Sequence, residues 1–120
     1  MFDLTNEILA RYIGGQLEVQ NDIENYMYRG EIKTAQINEK NVQIELEWMA
    51  KGVGYPPIPT GWVADSTLMY EVGLEIYSVS NIGPGSEGDD RICLQSSMTG
   101  EVTVLFPPNG SKLDRSQVVN

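Results

Sequence analysis

Between residues 16 and 106 the hydrophobic residues recur mostly with a period of two, and that confines the chain to β structure. Val42, Ile44, Leu46 and Trp48 alternate with Gln43, Glu45 and Glu47, so one face is apolar and the other wet. The preceding stretch, residues 26–37, alternates in the same way, with Tyr26, Tyr28, Gly30, Ile32 and Thr34 expected on one face. A polar turn, Asn38-Glu39-Lys40-Asn41, separates the two stretches, and together they predict a long β-hairpin. Gly30, inside the first strand, marks a bend, a bulge or a close backbone approach.

Around this hairpin the same logic places shorter elements. Leu17 and Val19 flank Glu18 in a strand over residues 16–20, and Asn21-Asp22 opens a turn. Residues 69–79 alternate as one further strand, residues 81–90 read as a flexible acidic turn, and residues 92–94 and 102–106 form the last strands. Pro107-Pro108 ends the sheet, because proline has no N–H for the ladder. Gly52, Gly54, Pro56, Pro57, Pro59 and Gly61 predict a break in regular structure over residues 52–67, although Tyr55, Ile58 and Trp62 are large and need a surface to pack on. One helix is expected, over residues 4–13. Thr5 or Asp3 caps it, Glu7 sits in its first turn, Gly14-Gly15 stop it, and Leu4, Ile8, Leu9 and Tyr12 share its apolar face. Residues 109–120 are a polar tail with one helical turn near residues 114–118.

A length of 120 residues gives a single domain whose core is modest, so association of subunits is a natural source of further burial. The formal charge of −9, from 17 acids against eight Lys and Arg, excludes broad electrostatic binding to nucleic acid or anionic lipid, though not a local basic spot. With no histidine the chain lacks the commonest general base and metal ligand, and with one cysteine it forms no internal disulfide. The opening MFDLTNEILARYIGG bears an acid and no long apolar core, unlike a signal peptide, and no apolar run reaches the roughly 18 residues of a membrane span. The expected setting is cytoplasmic, with no membrane partner.

The stretch LARYIGGQLEVQNDIENYMYRGEIKTAQINEKNVQIEL resembles the first motif of the Sm-like (LSm, Hfq-like) family: short helix, strand, long strand with a central glycine, turn ending in asparagine, strand. Gly30 and Asn41 match the glycine and the asparagine. RICLQSSMTGEVTVLFPP resembles the second motif, with Gly100 at its turn. The pattern is also similar to an Sm-like group found in marine phage and metagenomic sequences. The resemblance leaves residues 52–90 as an enlarged variable loop with an extra strand. It implies a mainly β fold, a small, strongly bent antiparallel SH3-like or Sm-like barrel with a short N-terminal helix. It further implies a homo-oligomeric ring of about five to seven subunits, closed by pairing of the strand at residues 102–106 with a neighbour.

The family binds single-stranded RNA near the pore by base stacking and a cation beside phosphate. Carried over, Asn41 keeps the base-reading amide, Glu39 or Lys40 stands where a stacking ring usually sits, and Thr99, beside Gly100, replaces the usual arginine. The spacing from Gly30 to Asn41 is about one residue longer than the family's, and Gln36 replaces an expected aspartate. Lys40 is the substitute cation, with Arg29 and Lys33 as a rim; the plainer alternative makes Asn41 a turn residue and Lys40 a solvated charge.

No catalytic constellation is legible. Cys93 lies between Ile92 and Leu94 as a small core residue, and Ser96-Ser97 lack a histidine partner. Glu87, Asp89 and Asp90 lack the ligand spacing of a calcium loop. Glu45 and Glu47, roughly 7 Å apart on one strand face, read as its wet side rather than as an acid–base pair. No phosphate-binding or dinucleotide glycine pattern occurs. The expected protein is thus a ring without catalytic residues, metal or cofactor. It binds single-stranded RNA or DNA and serves nucleic-acid processing, or it is an interaction or assembly ring, for instance a phage-encoded adaptor.

Overall fold

The computed structural model describes residues 4–54, 59–75, 77–84, 90–108 and 113–119. One short helix, α1 (Asn6–Ala10), precedes nine strands: β1 (Gln16–Asn21), β2 (Tyr26–Asn38), β3 (Asn41–Val53), β4 (Gly61–Asp65), β5 (Met69–Gly73), β6 (Ser78–Pro84), β7 (Asp90–Gln95), β8 (Glu101–Phe106) and β9 (Val118–Val119). They form one sheet in the order β6-β7-β8-β1-β2-β3-β4-β9, with β5 paired to β3 beside β4. All ladders are antiparallel except β4–β9, so the sheet is mixed. Among the described residues no ladder joins β6 to β5 or to β9, so the sheet is open. The expected barrel thus holds at a coarser level, as a mainly β fold with one short helix.

The predicted hairpin is present, and β2 and β3 each run for 13 residues. Strands this long in a small domain must bend, and they bend where the register slips, between Glu31 and Thr34 opposite Leu46 to Trp48. The slip resets the parity of both strands. Ala35 is buried while Thr34 is exposed, against the expected common face of Thr34 with Ile32. Likewise Met49 joins the core and Trp48 leaves it, donating its indole N–H to Glu31 Oε2 at 3.1 Å. Gly30 sits beside the bend: a Cβ there would lie 2.8 Å from the carbonyl oxygen of Trp48. Its nearest contact is with backbone, and Leu46 Cδ1 and Cδ2 follow at 3.2 and 3.3 Å, the close approach that glycine permits.

The bend also splits β3 between two partners. Its first part, Asn41 to Glu45, pairs with β5, and its last part, Met49 to Val53, pairs with β4. The two halves of the sheet face one another across a core of Leu17, Val19, Ile32, Ile44, Leu46, Met49, Val72, Ile92, Leu94 and Leu105. Each fully buried Leu or Ile contributes about 1.5–3 kcal/mol by leaving water. Leu9 of helix α1 and Tyr12 of the turn after it close one side, and Thr5 caps the helix by accepting from the Ile8 N–H at 3.3 Å. It is shorter than expected: after Ala10 the backbone tightens to bonds three residues apart, such as Tyr12 N–H to Leu9 O at 2.9 Å. Asn6 Oδ1 accepts the Ile37 N–H at 2.7 Å, covering part of the β2 edge that β1 leaves unpaired.

Four expectations are corrected by the strand pairing. Residues 61–65, placed in a break, form β4, because only Gly61 falls within the strand, at its first position, and the other glycines and the prolines precede it. Residues 69–79 are not one strand: β5 ends at Gly73 and β6 begins at Ser78, where the Leu74 N–H turns to the carbonyl of Lys40 at 2.7 Å. Residues 81–84 and 90, placed in a turn, belong to β6 and β7. Finally β8 is no edge, since β1 and β7 pair with its two sides. The polar tail docks as well: Leu113 is buried, Asp114 caps a 3-10 turn (Arg115–Gln117), and β9 adds to β4.

Candidate functional site

The turn between β2 and β3 carries the predicted nucleic-acid residues Glu39, Lys40 and Asn41. Glu39 adopts a φ of 57°, which makes the two-residue turn possible. Lys40 Nζ lies 2.8 Å from Glu75 Oε1, both side chains well exposed, and Asn41 is paired with Asn38 and Gly73 in the ladders. Thr99 and Gly100 lie elsewhere, against the β1–β2 turn at the opposite end of β2. Asn21 Nδ2 donates to Thr99 O at 2.8 Å, and Gly100, with φ +76°, packs so tightly that a Cβ would meet Ile23 Cδ1 at 2.6 Å. Among the described residues no hydrogen bond or ion pair joins the two turns. Gly30 lies in the middle of β2, between Leu17 and Met49. Of the expected rim, Arg29 Nε is 2.8 Å from Glu18 and its guanidinium covers Trp62 at 5.0 Å, while Lys33 is 3.6 Å from Glu45.

Asn21 organises the other turn. Its Oδ1 accepts the N–H groups of Ile23 and Glu24, each at 2.9 Å, while its amide reaches Thr99. The side chain is 2% exposed, so all three bonds are made in one buried position. Asn21→Ala is expected to cost about 2 kcal/mol, because Thr99 O loses its donor and the turn loses its acceptor. Asn21→Asp keeps the acceptor and should fall between the two in urea denaturation; equal midpoints for wild type and Asn21→Ala would refute this role.

Beside this turn lies a cluster that sequence reasoning missed. Glu101, the first residue of β8, accepts from Tyr26 OH at 2.6 Å through Oε2, and through Oε1 from Tyr70 OH at 2.5 Å and from Tyr77 OH. Tyr70 OH also meets Thr103 Oγ1 at 2.7 Å. One carboxylate therefore ties the starts of β2 and β8, the second residue of β5, and the residue leading into β6. Burial alone pushes the Glu101 carboxyl up, but the hydroxyls of Tyr26, Tyr70 and Tyr77 outweigh it and hold the group below its ordinary 4.5. Burial, and then the Glu101 hydrogen bond, push Tyr26 and Tyr77 up to about 12 and raise Tyr70 further. General acid–base work needs groups tuned toward neutral pH. These shifts run away from it, so the cluster locks its protons in place and clamps the two ends of the open sheet.

A second feature lies on the outer face. A cleft of about 350 Å³ opens between β3, β4 and the 3-10 turn, lined by Trp48, Leu68, Val118, Glu47, Asp65 and Arg115 among others. The Arg115 guanidinium lies over the Trp48 ring at 5.5 Å and 4.0 Å from Glu31, which also holds the indole N–H. Asp65 accepts the Thr67 N–H at 2.8 Å, and hydrogen bonds from Thr67 hold its carboxyl below the ordinary range.

The remaining sequence candidates have ordinary places. Cys93 and Ser96 are buried, and Ser96 Oγ accepts the Thr99 N–H at 3.3 Å within the β7–β8 turn. Glu87 and Asp89 lie outside the described residues, as do Tyr55 and Ile58. Among the described residues no group of three or more His, Cys, Asp or Glu is arranged to hold a metal ion, and no helix is long and apolar enough to cross a membrane. Comparison of the chain with protein-family models, with curated proteins and with solved structures finds no match.

Proposed function

We propose that the protein is a non-enzymatic interaction and assembly module that associates with copies of itself through the open edges of its sheet. The observation that carries this reading is the state of β5. Among the described residues it pairs with β3 on one side only, and Leu68, just before it, and Met69, its first residue, are 49% and 55% exposed. At the other end, among the described residues, β6 pairs with β7 alone. Unpaired N–H and C=O groups on an edge strand are a template for another strand, and β6 of one copy against β5 of the next is a head-to-tail contact that closes into a ring when the rotation allows. The finer fold belonging to this reading is the Sm-like bent barrel, its gap filled by a neighbour.

Charge favours assembly over the RNA-binding reading at Asn41, Lys40 and Thr99. Arg29, Lys33, Lys40 and Arg115 each lie within 4.0 Å of a carboxylate, so these cations are already opposed by acids. Light scattering on a sizing column, with protein alone and with oligo-uridine or oligo-adenine, tests both readings. The expected mass is a multiple of the 13.3 kDa chain, unchanged by RNA and reduced by Met69→Lys, which places a charge on the exposed edge. A monomer at every concentration overturns self-assembly; a mass that gains RNA, and loses it in Asn41→Ala, restores nucleic-acid binding.

A further inference from the structure

The cleft between β3, β4 and the 3-10 turn adjoins the β5 edge only through Leu68; its other lining residues lie on β3, on β4 and in the C-terminal segment. Its volume, about 350 Å³, falls at the lower end of the range of sites that hold small ligands or single side chains. Its walls combine an aromatic ring, Trp48, with the aliphatic side chains of Leu68 and Val118, and Leu68 is 49% exposed. Its charged groups are Glu47, Asp65 and Arg115. The charge of Arg115 is opposed by Glu31, outside the cleft lining, at 4.0 Å. Glu47 and Asp65 have no ion pair among the described residues, and Lys51 acts on Asp65 only through space. The lining therefore carries an excess of negative charge over an apolar floor. Arg115 on Trp48 shows that this ring already holds a guanidinium.

We propose that this cleft receives a lysine or arginine side chain from a basic segment of a protein partner. The aliphatic stem lies against Trp48 and Leu68, and the charged head faces Glu47 and Asp65. Long cationic side chains bind in this divided way, stem on apolar surface and head among polar groups. The overall charge of −9 draws such a segment toward the protein, and the cleft supplies the specific seat. This inference names the partner chemistry for the interaction module proposed above and rests on that reading, although it does not require a ring.

The test uses the full chain and an amidated pentapeptide of alternating lysine and leucine, with a glutamate–leucine peptide as the opposite-charge probe. Binding is followed by calorimetry and by the two indole N–H resonances. The lysine peptide is expected to shift the Trp48 resonance and leave Trp62, which lies under Arg29, unmoved. The double variant E47Q/D65N should weaken binding roughly tenfold, the loss of two partly exposed charge contacts. The variant E71Q/E75Q removes the same charge from β5 and the residue pair beyond it, and should stay within about twofold of wild type on the same scale. Glu47 is exposed, so E47Q alone serves if the double variant loses its fold. Equal losses in both double variants would mean diffuse attraction by an acidic surface and would overturn the site, as would unchanged binding in E47Q/D65N or equal binding of the glutamate peptide. A monomer that binds the lysine peptide at Trp48 overturns self-assembly and keeps the cleft; a ring that ignores the peptide does the reverse.

Discussion

Gly15→Ala is expected to destabilise the fold by at least about 3 kcal/mol, the upper range for forcing an atom into a filled site. A Cβ at Gly15 would lie 2.0 Å from the carbonyl oxygen of Phe106, 2.9 Å from the carbonyl carbon of Pro107 and 3.0 Å from the carbonyl oxygen of Tyr12. All three are backbone atoms, so no side-chain rotation relieves the clash. The segment cannot retreat either, because Gly14 N–H donates to Ile32 O at 2.8 Å and Ile32 N–H donates to Gly15 O at 2.9 Å. That pair of bonds fastens the passage from α1 into β1 onto the bend of β2. Gly14 makes the informative comparison. Its φ is +85°, but a Cβ there would meet only Pro108 Cγ at 3.9 Å. Gly14→Ala should therefore cost about 1–2 kcal/mol, the strain of a left-handed backbone alone. Thermal denaturation of both variants checks the contrast. A drop in Tm on the order of 10 °C or more is expected for Gly15→Ala, and similar losses for the two variants would refute the steric argument.

Glu101→Leu should cost about 3 kcal/mol, since it deletes three hydrogen bonds to an ionised acceptor, each stronger than a neutral one. Part of the loss is offset, because Tyr70 OH retains Thr103 and the half-buried Tyr26 and Tyr77 can turn to water. Glu101→Gln should lose less, as its amide oxygen still accepts. The pH dependence follows from the shifted groups. The folded Glu101 carboxyl lies below its unfolded value, so its contribution is present above about pH 4.5 and is lost as pH falls through the folded value. Tyr26 and Tyr77 are shifted the other way, from 10.0 to about 12. Their contribution is complete below pH 10 and is lost as pH rises toward 12. Urea midpoints across pH should thus fall at both the acid and the alkaline end. In Glu101→Gln the alkaline fall should still begin near pH 10 but be smaller and end at lower pH, because the tyrosines lose their charged acceptor and their upward shift shrinks; identical alkaline profiles would refute the clamp.

The clamp explains how an open sheet still encloses a core. Where no ladder joins β5 to β6, side chains from β5, from the residue before β6 and from the start of β2 converge on one carboxylate of β8. Among the described residues no strand pairs with the second edge of β5. The self-association proposed above would therefore use a different part of the same gap from the clamp, one backbone and one side chain, and on that proposal Glu101 variants should alter assembly only as far as they loosen β5.

The long hairpin, the apolar face of α1 and the end of the sheet before Pro107-Pro108 were all legible in the sequence, because each depends on residues within a few positions of one another. Alternation of Val42, Ile44 and Leu46 specifies a strand and its buried face whatever the rest of the chain does. Parity beyond Leu46 was not legible: the slip opposite Glu31 to Thr34 moves Trp48 outward and Met49 inward, and only the pairing of two strands decides it. Strand β4 was hidden because the glycines and prolines around it mask five residues whose pairing with β3 and β9 makes them a strand. The candidate sites divide in the same way. Glu39, Lys40 and Asn41 were recognisable as a turn, but their distance from Thr99 and Gly100 is a property of the folded sheet. The tyrosines on Glu101 come from 75, 31 and 24 residues away. No local pattern encodes such a meeting, because a tyrosine in an alternating strand looks the same whether its hydroxyl ends in water or on a carboxylate. Local periodicity determined which residues turn inward up to the bend; the bend and the order of the strands decided the parity beyond it and what the buried residues meet.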